Sequence, residues 1–180
     1  MIKAQQAARS ASESAGSSSP ALSAIRSAIG EVPDPELPIV TIDELGILGR
    51  VRRTTGGDGV RVELHPTFVA CPATDMIRAS VQARLGEIAP SLAADVVLVF
   101  DPPWTSDRIS AGGRAKLAAA GIAPPLAADP AGLIALDAVV PCPMCGSPRT
   151  GLENLFGPTL CRTIHWCPDC RQPFEAIKTV

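Results

Sequence analysis

An α+β chain, a small mixed domain followed by a ribbon built around four cysteines, is what three features of this sequence predict. The first is a pair of Cys-x-x-Cys motifs near the C-terminus, Cys142-Pro143-Met144-Cys145 and Cys167-Pro168-Asp169-Cys170, separated by 21 residues. The second is a pair of apolar/polar alternating runs joined by Thr54-Thr55-Gly56-Gly57-Asp58-Gly59, which is hairpin chemistry. The third is a set of segments whose apolar residues recur at helical spacing, such as Leu22, Ile25 and Ile29.

The cysteines carry the clearest chemistry. Two residues between paired cysteines put both sulfurs on one side of a tight turn. Two such turns, each at the tip of a hairpin, bring four thiolates into a tetrahedron around zinc. Gly146 fits a knuckle that needs positive φ just past its second cysteine. Cys142, Cys145, Cys167 and Cys170 are therefore expected to hold a closed, structural zinc ion. Iron in the same cage, or a dithiol/disulfide pair, are the alternatives.

Composition narrows the function. A chain of 180 residues holds one ordinary domain and a small module, and a hydrophobic content of 46% supplies a core. The net charge of −2 gives no reason to expect a polyanionic partner, and six aromatic residues without a tyrosine supply base stacking poorly. Neither nucleic acid nor a membrane is expected as a partner, because no run reaches the ~18–20 apolar residues of a spanning helix. Cysteines in metal spacing point to a reducing, cytoplasmic setting. Residues 1–19 lack the apolar stretch of a secretory signal; their Ala, Ser and Gln content resembles a disordered tail more than a transit peptide.

In chain order, a helix is expected from Pro20 to about Gly30, with Gly30 as its cap. Residues 32–40 hold three prolines and form an ordered loop carrying Asp34 and Glu36, followed by a single helical turn over 41–45. Strands at 47–53 and 60–65 make an antiparallel hairpin. Thr74 is expected to cap a helix ending at Gly86. Residues 95–100, apolar on both faces, read as a central strand. A rigid loop over 101–107 and a helix from Ser110 to Ala120, closed by Gly121, complete a domain spanning 20–121. Residues 122–137 are expected to be a linker and 138–180 the ribbon, with strands near 149–156, 160–166 and 174–179.

Outside the four cysteines, Cys71 stands at a helix start, where the helix dipole favours a thiolate; the plain alternative is a small buried loop filler. His65 is a ligand, a base or an ordinary surface residue. Asp34 and Glu36 present carboxylates to a metal or partner, or simply form turns between prolines, the preferred reading. Trp104 is a core plug or an exposed anchor. Cys161 is a hairpin packing residue or a substitute ligand, and is read as a bystander since two knuckles already supply four ligands. No phosphate-binding glycine loop or nucleophile elbow occurs, and two histidines make a catalytic metal site hard to assemble. No catalytic or cofactor-binding residues are assigned.

Asp34-Pro35-Glu36-Leu37-Pro38, Ile42-Asp43-Glu44-Leu45-Gly46, and Pro66-Thr67 ahead of Cys71-Pro72 together resemble the SufT-like iron–sulfur cluster assembly domain. Trp104-Thr105, Ser110 and Gly121-Ile122 fall where that family places its last loop and helix. The cysteine pairs, with Phe156-Gly157, Cys161-Arg162 and Pro173-Phe174, are similar to one subfamily, the PaaD (or PaaJ) subunits of phenylacetyl-CoA epoxidase. The resemblance covers residues 20–180 and implies an iron–sulfur-cluster-assembly-type α/β domain followed by a zinc ribbon. It implies a non-catalytic maturation role in aerobic phenylacetate breakdown. The partners would be other epoxidase subunits or their apo forms, and Cys71, near Asp34 and Trp104 at one end of the sheet, would serve an iron–sulfur cluster or iron transiently. A homodimer is left open. After Phe174 the chain departs from the pattern, with Glu175-Ala176-Ile177-Lys178 where relatives are more aromatic, which bears on packing of the last strand.

Overall fold

The computed structural model describes residues 20–68, 71–126 and 139–180. The expected tail over 1–19 and most of the expected linker lie outside these residues. Among the described residues, short elements form two sheets. The first sheet contains β1 (Leu48–Arg53), β2 (Gly59–Leu64) and β3 (Ala93–Leu98) in the order β1-β2-β3. Its helices are α1 (Leu22–Gly30) and α2 (Ala73–Ile88). A 3-10 turn at Ser106–Arg108 and α3 (Ala111–Ala119) lead to β4 (Ile122–Ala123). The second sheet, in the order β4-β7-β6-β5, adds β5 (Gly151–Asn154), β6 (Arg162–Cys167) and β7 (Gln172–Ile177).

The helical stripe of α1 is realised, with Ile25 and Ile29 fully buried. Gly30 is not the cap: it is the last helical residue and Glu31 caps the helix, while a Cβ at Gly30 would lie 3.2 Å from Asp43 Cβ, so close packing is its reason for being glycine. The loop that follows is held by its own backbone, with the Asp34 N–H donating to Val40 O at 3.0 Å. Thr41 and Glu44 exchange a capping box, the Glu44 N–H donating to Thr41 Oγ1 at 3.2 Å and the Thr41 N–H to Glu44 Oε2 at 3.0 Å. Leu45 N–H reaches Thr41 O at 3.0 Å, so the expected single helical turn is present. Strands β1 and β2 pair antiparallel around the expected hairpin, and Val60, Val62 and Leu64 point inward.

Expectations also change for β3 and for both ends of α2. Among the described residues strand β3 is an edge, paired only with β2 and in parallel, while β2 takes the centre. A continuous apolar run does not distinguish a buried central strand from an edge whose outer residues stay half exposed, as Val97 and Leu98 do. Helix α2 begins one residue before Thr74, with Pro72 at the capping position, so Thr74 lies inside the first turn and its hydroxyl caps nothing. Helix α2 also runs through Gly86 to Ile88. Gly inside a helix costs only about 1 kcal/mol, which burial of Leu85 and Ala89 outweighs, and Pro90 supplies the actual stop. By contrast, Ser110 caps α3 as expected, its Oγ accepting from the Gly113 N–H at 3.0 Å.

The two modules are joined rather than strung together. Residues 122 and 123, placed in the linker by composition, form β4, which adds to the ribbon sheet by pairing in parallel with Glu175 and Ala176. In return, Ile177 buries into the core of the first module while Phe174 and Ala176 build the ribbon core. Beyond the last strand, Ser106 N–H donates to Val180 O at 3.0 Å. The departure after Phe174 thus has a packing reason: small or aliphatic residues let one strand serve two cores. Among the described residues no helix is long and apolar enough to cross a membrane.

Candidate functional site

Two sites are built from these elements, one closed and one open. The closed one is the cysteine cage. In the first knuckle the Gly146 N–H donates to Cys142 O at 2.8 Å, and Gly146 takes φ 74°, the conformation expected of it. The second knuckle repeats the geometry with Arg171 at φ 56°, a left-handed conformation in a residue other than glycine. Arg149 and Ser147 both bind the Asp169 carboxylate, tying one knuckle to the other. The four sulfurs lie within 4.8 Å of one another, with Cys142 to Cys170 at 3.6 Å and Cys145 to Cys167 at 3.7 Å. A tetrahedron of sulfurs about 2.3 Å from zinc has edges of about 3.8 Å, so the cage has the size of a zinc site.

The electrostatics agree. Desolvation and the neighbouring thiols push the Cys170 thiol up to about 12, whereas the Cys170 N–H pulls the Cys167 thiol down. Thiolates this close repel without a cation, and a bound divalent ion reverses that logic. The four-cysteine cluster supports zinc binding. A zinc ion held by all four would have no open position for substrate, which is the arrangement of structural zinc sites. His165 is no ligand: it is buried in the ribbon, stacked on Phe174 at 5.3 Å, with Nε2 on the Thr163 hydroxyl at 3.0 Å.

The open site is a cavity of about 40 Å³ where the ribbon meets the first module. Cys71, Asp34 and Trp104 all line it, although they come from three separate segments. Trp104 is buried, its Nε1–H donating to Leu45 O at 2.9 Å, so it is a core plug forming a wall and not an exposed anchor. Asp34 is buried too, and its Oδ1 accepts from the Glu36 and Leu37 N–H groups at 2.9 and 2.8 Å. This is a turn-forming carboxylate; burial raises its pKa despite those bonds. Cys71 is half-buried just ahead of α2, against the main core.

His65 does not join them. It is buried at the end of β2, next to Gly49 and Arg108, and burial together with the Arg108 charge lowers its pKa. Glu36, the second acid of the proline-rich loop, lines the cavity as well. So do Lys178 and Cys161, to which the sequence assigns no site, the latter from the turn before β6. The signal for Cys161 is present in the sequence as a ribbon thiol without a ribbon role, but only the fold shows which module it faces.

Fold and cage together define a two-module protein, an iron–sulfur-assembly-type α/β domain bearing a four-cysteine ribbon. Residues 22–96 match the family described as iron–sulfur cluster assembly protein, and residues 127–178 match the PaaD zinc beta ribbon domain. The chain is 34% identical over 154 residues to an Escherichia coli K12 protein assigned provisionally as a subunit of 1,2-phenylacetyl-CoA epoxidase, covering 84% of this chain and 89% of that one. It belongs to the PaaD family. The first module alone is similar to an Fe-S protein maturation auxiliary factor of Porphyromonas gingivalis, 34% identical over 80 residues, 44% of this chain and 73% of the relative. A solved domain of unknown function from Bacillus anthracis is 26% identical, covering 53% of this chain and 90% of that one at a TM-score of 0.49.

Proposed function

We propose that this chain is a non-catalytic accessory factor of the phenylacetyl-CoA ring epoxidase of aerobic phenylacetate breakdown, acting in assembly of that enzyme's metal centres. The clients are other epoxidase subunits in their apo forms, iron–sulfur or di-iron. Cys71 handles iron or a cluster as cargo, and the zinc ribbon fixes the shape of the cavity and docks the client. The observation that carries this reading is the separation of two kinds of thiol. Four are locked in a closed cage, whereas Cys71 faces a cavity walled by Trp104 and the Asp34 turn. Likeness to a maturation auxiliary factor in one module and to an epoxidase subunit across both supports the same assignment.

The test is complementation of a deletion strain with wild type or Cys71→Ser. Loss of epoxidase activity, together with low iron in the purified client subunits, is expected for the variant. Full activity and full iron content would refute the cargo role.

A second reading, a stoichiometric structural subunit of the epoxidase, is favoured by the apolar residues the ribbon leaves exposed, Leu152, Leu155, Phe156 and Leu160. Co-purification in equal amount with the active enzyme would select it over maturation.

A further inference from the structure

In the sequence Cys161 has no role, because the ribbon needs no fifth thiol. The structure gives it a different neighbourhood. The ladder between β6 and β7 extends one step, the Lys178 N–H donating to Cys161 O at 2.9 Å. That extension carries Cys161 to the end of the ribbon facing the first module, where its side chain lines the same cavity as Cys71. The Cys161 sulfur also has a hydroxyl partner, Thr159 Oγ1 at 3.1 Å. Glu36 reaches the cavity from the proline-rich loop, and its carboxylate makes no hydrogen bond or ion pair with a described residue. At the start of α2, the Thr74 hydroxyl oxygen is buried on the cavity wall without a hydrogen-bond partner among the described residues.

We propose that Cys71 and Cys161, one thiol from each module, with the Glu36 carboxylate as a third donor, form a second metal site that takes a single ferrous ion. The inference deepens the maturation reading and rests on it for the identity of the cargo. Two thiolates and a carboxylate suit iron, cobalt or zinc, and not magnesium or calcium. Binding releases the two thiol protons, so uptake strengthens as pH rises. Burial pushes the Cys161 thiol up, and the Glu36 charge pushes it the same way. A cation bound by the three groups turns that repulsion into attraction, and Lys178 on the cavity lining offsets the remaining charge.

Among the described residues only the ribbon thiols form a preassembled cluster with ligand atoms within 4.8 Å of one another. The second site is therefore looser than the cage and has fewer protein ligands. Those properties suit an ion that must leave again, and the pairing of thiols across two modules gives a way to release it, by parting them.

The experiment uses the full chain, its ribbon loaded with zinc, titrated anaerobically with Co²⁺, followed by metal analysis to verify that one zinc is retained. Wild type should take one cobalt beyond the zinc, with a thiolate-to-cobalt charge-transfer band. Cys71→Ser and Cys161→Ser should each halve that band and weaken binding at least about tenfold, the scale of lost metal-site contacts. In wild type, bound cobalt should protect Cys71 and Cys161 together from alkylation, read by peptide mass. This measurement decides the matter if Cys161→Ser loses its zinc and misfolds. Cobalt binding that needs Cys71 but is untouched in Cys161→Ser, or protection of Cys71 alone, would overturn the two-module site and leave the maturation role standing. No cobalt beyond the zinc in wild type would overturn the site, while the maturation reading stands or falls on complementation with Cys71→Ser.

Discussion

At the residue scale, Asp34 and Gly46 show two different ways in which this fold imposes a cost on a single position. Asp34 is a buried carboxylate whose pKa is raised above the ordinary 3.8, burial outweighing the two N–H groups it accepts. The folded state then holds its proton more tightly than the unfolded state. Stability falls as pH rises from the ordinary carboxylate value through the raised one, and stays lower above it. Asn keeps the acceptor oxygen for Glu36 and Leu37 without the charge. Asp34→Asn should therefore gain stability over wild type at neutral pH, with the gap closing as pH falls below the folded value. Urea midpoints at several pH values measure this, and a gap that widens on acidification would contradict it. Gly46 has φ 68°, and a Cβ there would lie 2.5 Å from Arg108 Cβ. Gly46→Ala should cost at least about 2 kcal/mol in a denaturant titration, from left-handed strain and the clash together. Asp34 as a turn former is legible in the spacing of its prolines. The role of Gly46 is not, because Arg108 lies far away in the chain.

At the element scale, the sequence is most readable where local chemistry decides alone. The stripe of α1, the glycine-rich hairpin, the Ser110 cap and the Gly146 knuckle all rest on contacts a few residues apart. For the cap, Ser110→Ala removes one oxygen from one N–H and should destabilise by about 1 kcal/mol, measured by urea unfolding. A cost near zero would mean water replaces the hydroxyl. Legibility fails where a distant segment decides. Apolar faces make β3 look central, yet its place at the edge follows from β1 occupying the other side of β2. Strand β4 is hidden in composition typical of a connector, because its partner, Glu175-Ala176, lies far along the chain. The same limit applies to the candidate site. The cage is written in two tight motifs, but the company of Cys71 is assembled from the proline loop, α2, the Trp104 loop and the ribbon.

At the scale of the whole molecule, β7 makes the ribbon and the first module a single mechanical unit. Phe174 and Ala176 look into the ribbon core, Ile177 looks into the other, and Val180 closes on Ser106 by three hydrogen bonds of 3.0, 3.2 and 3.3 Å. Zinc binding is folding free energy for a ribbon too small to stand on its own core, so removing the metal loosens β6 and β7. The loss then reaches the first module through Ile177 and Val180, and with it the wall of the cavity that carries Cys161. Chelation should therefore lower the thermal midpoint of the entire chain rather than melt the ribbon as a separate early step. In hydrogen exchange the Ser106 amide, which donates to Val180, should lose protection on chelation. Amides in the body of α1, packed through Ile25 and Ile29, should stay protected. If Ser106 kept its protection while the β6 and β7 amides exchanged freely, the modules would be independent. A change in ribbon metal could then not be transmitted to the cavity.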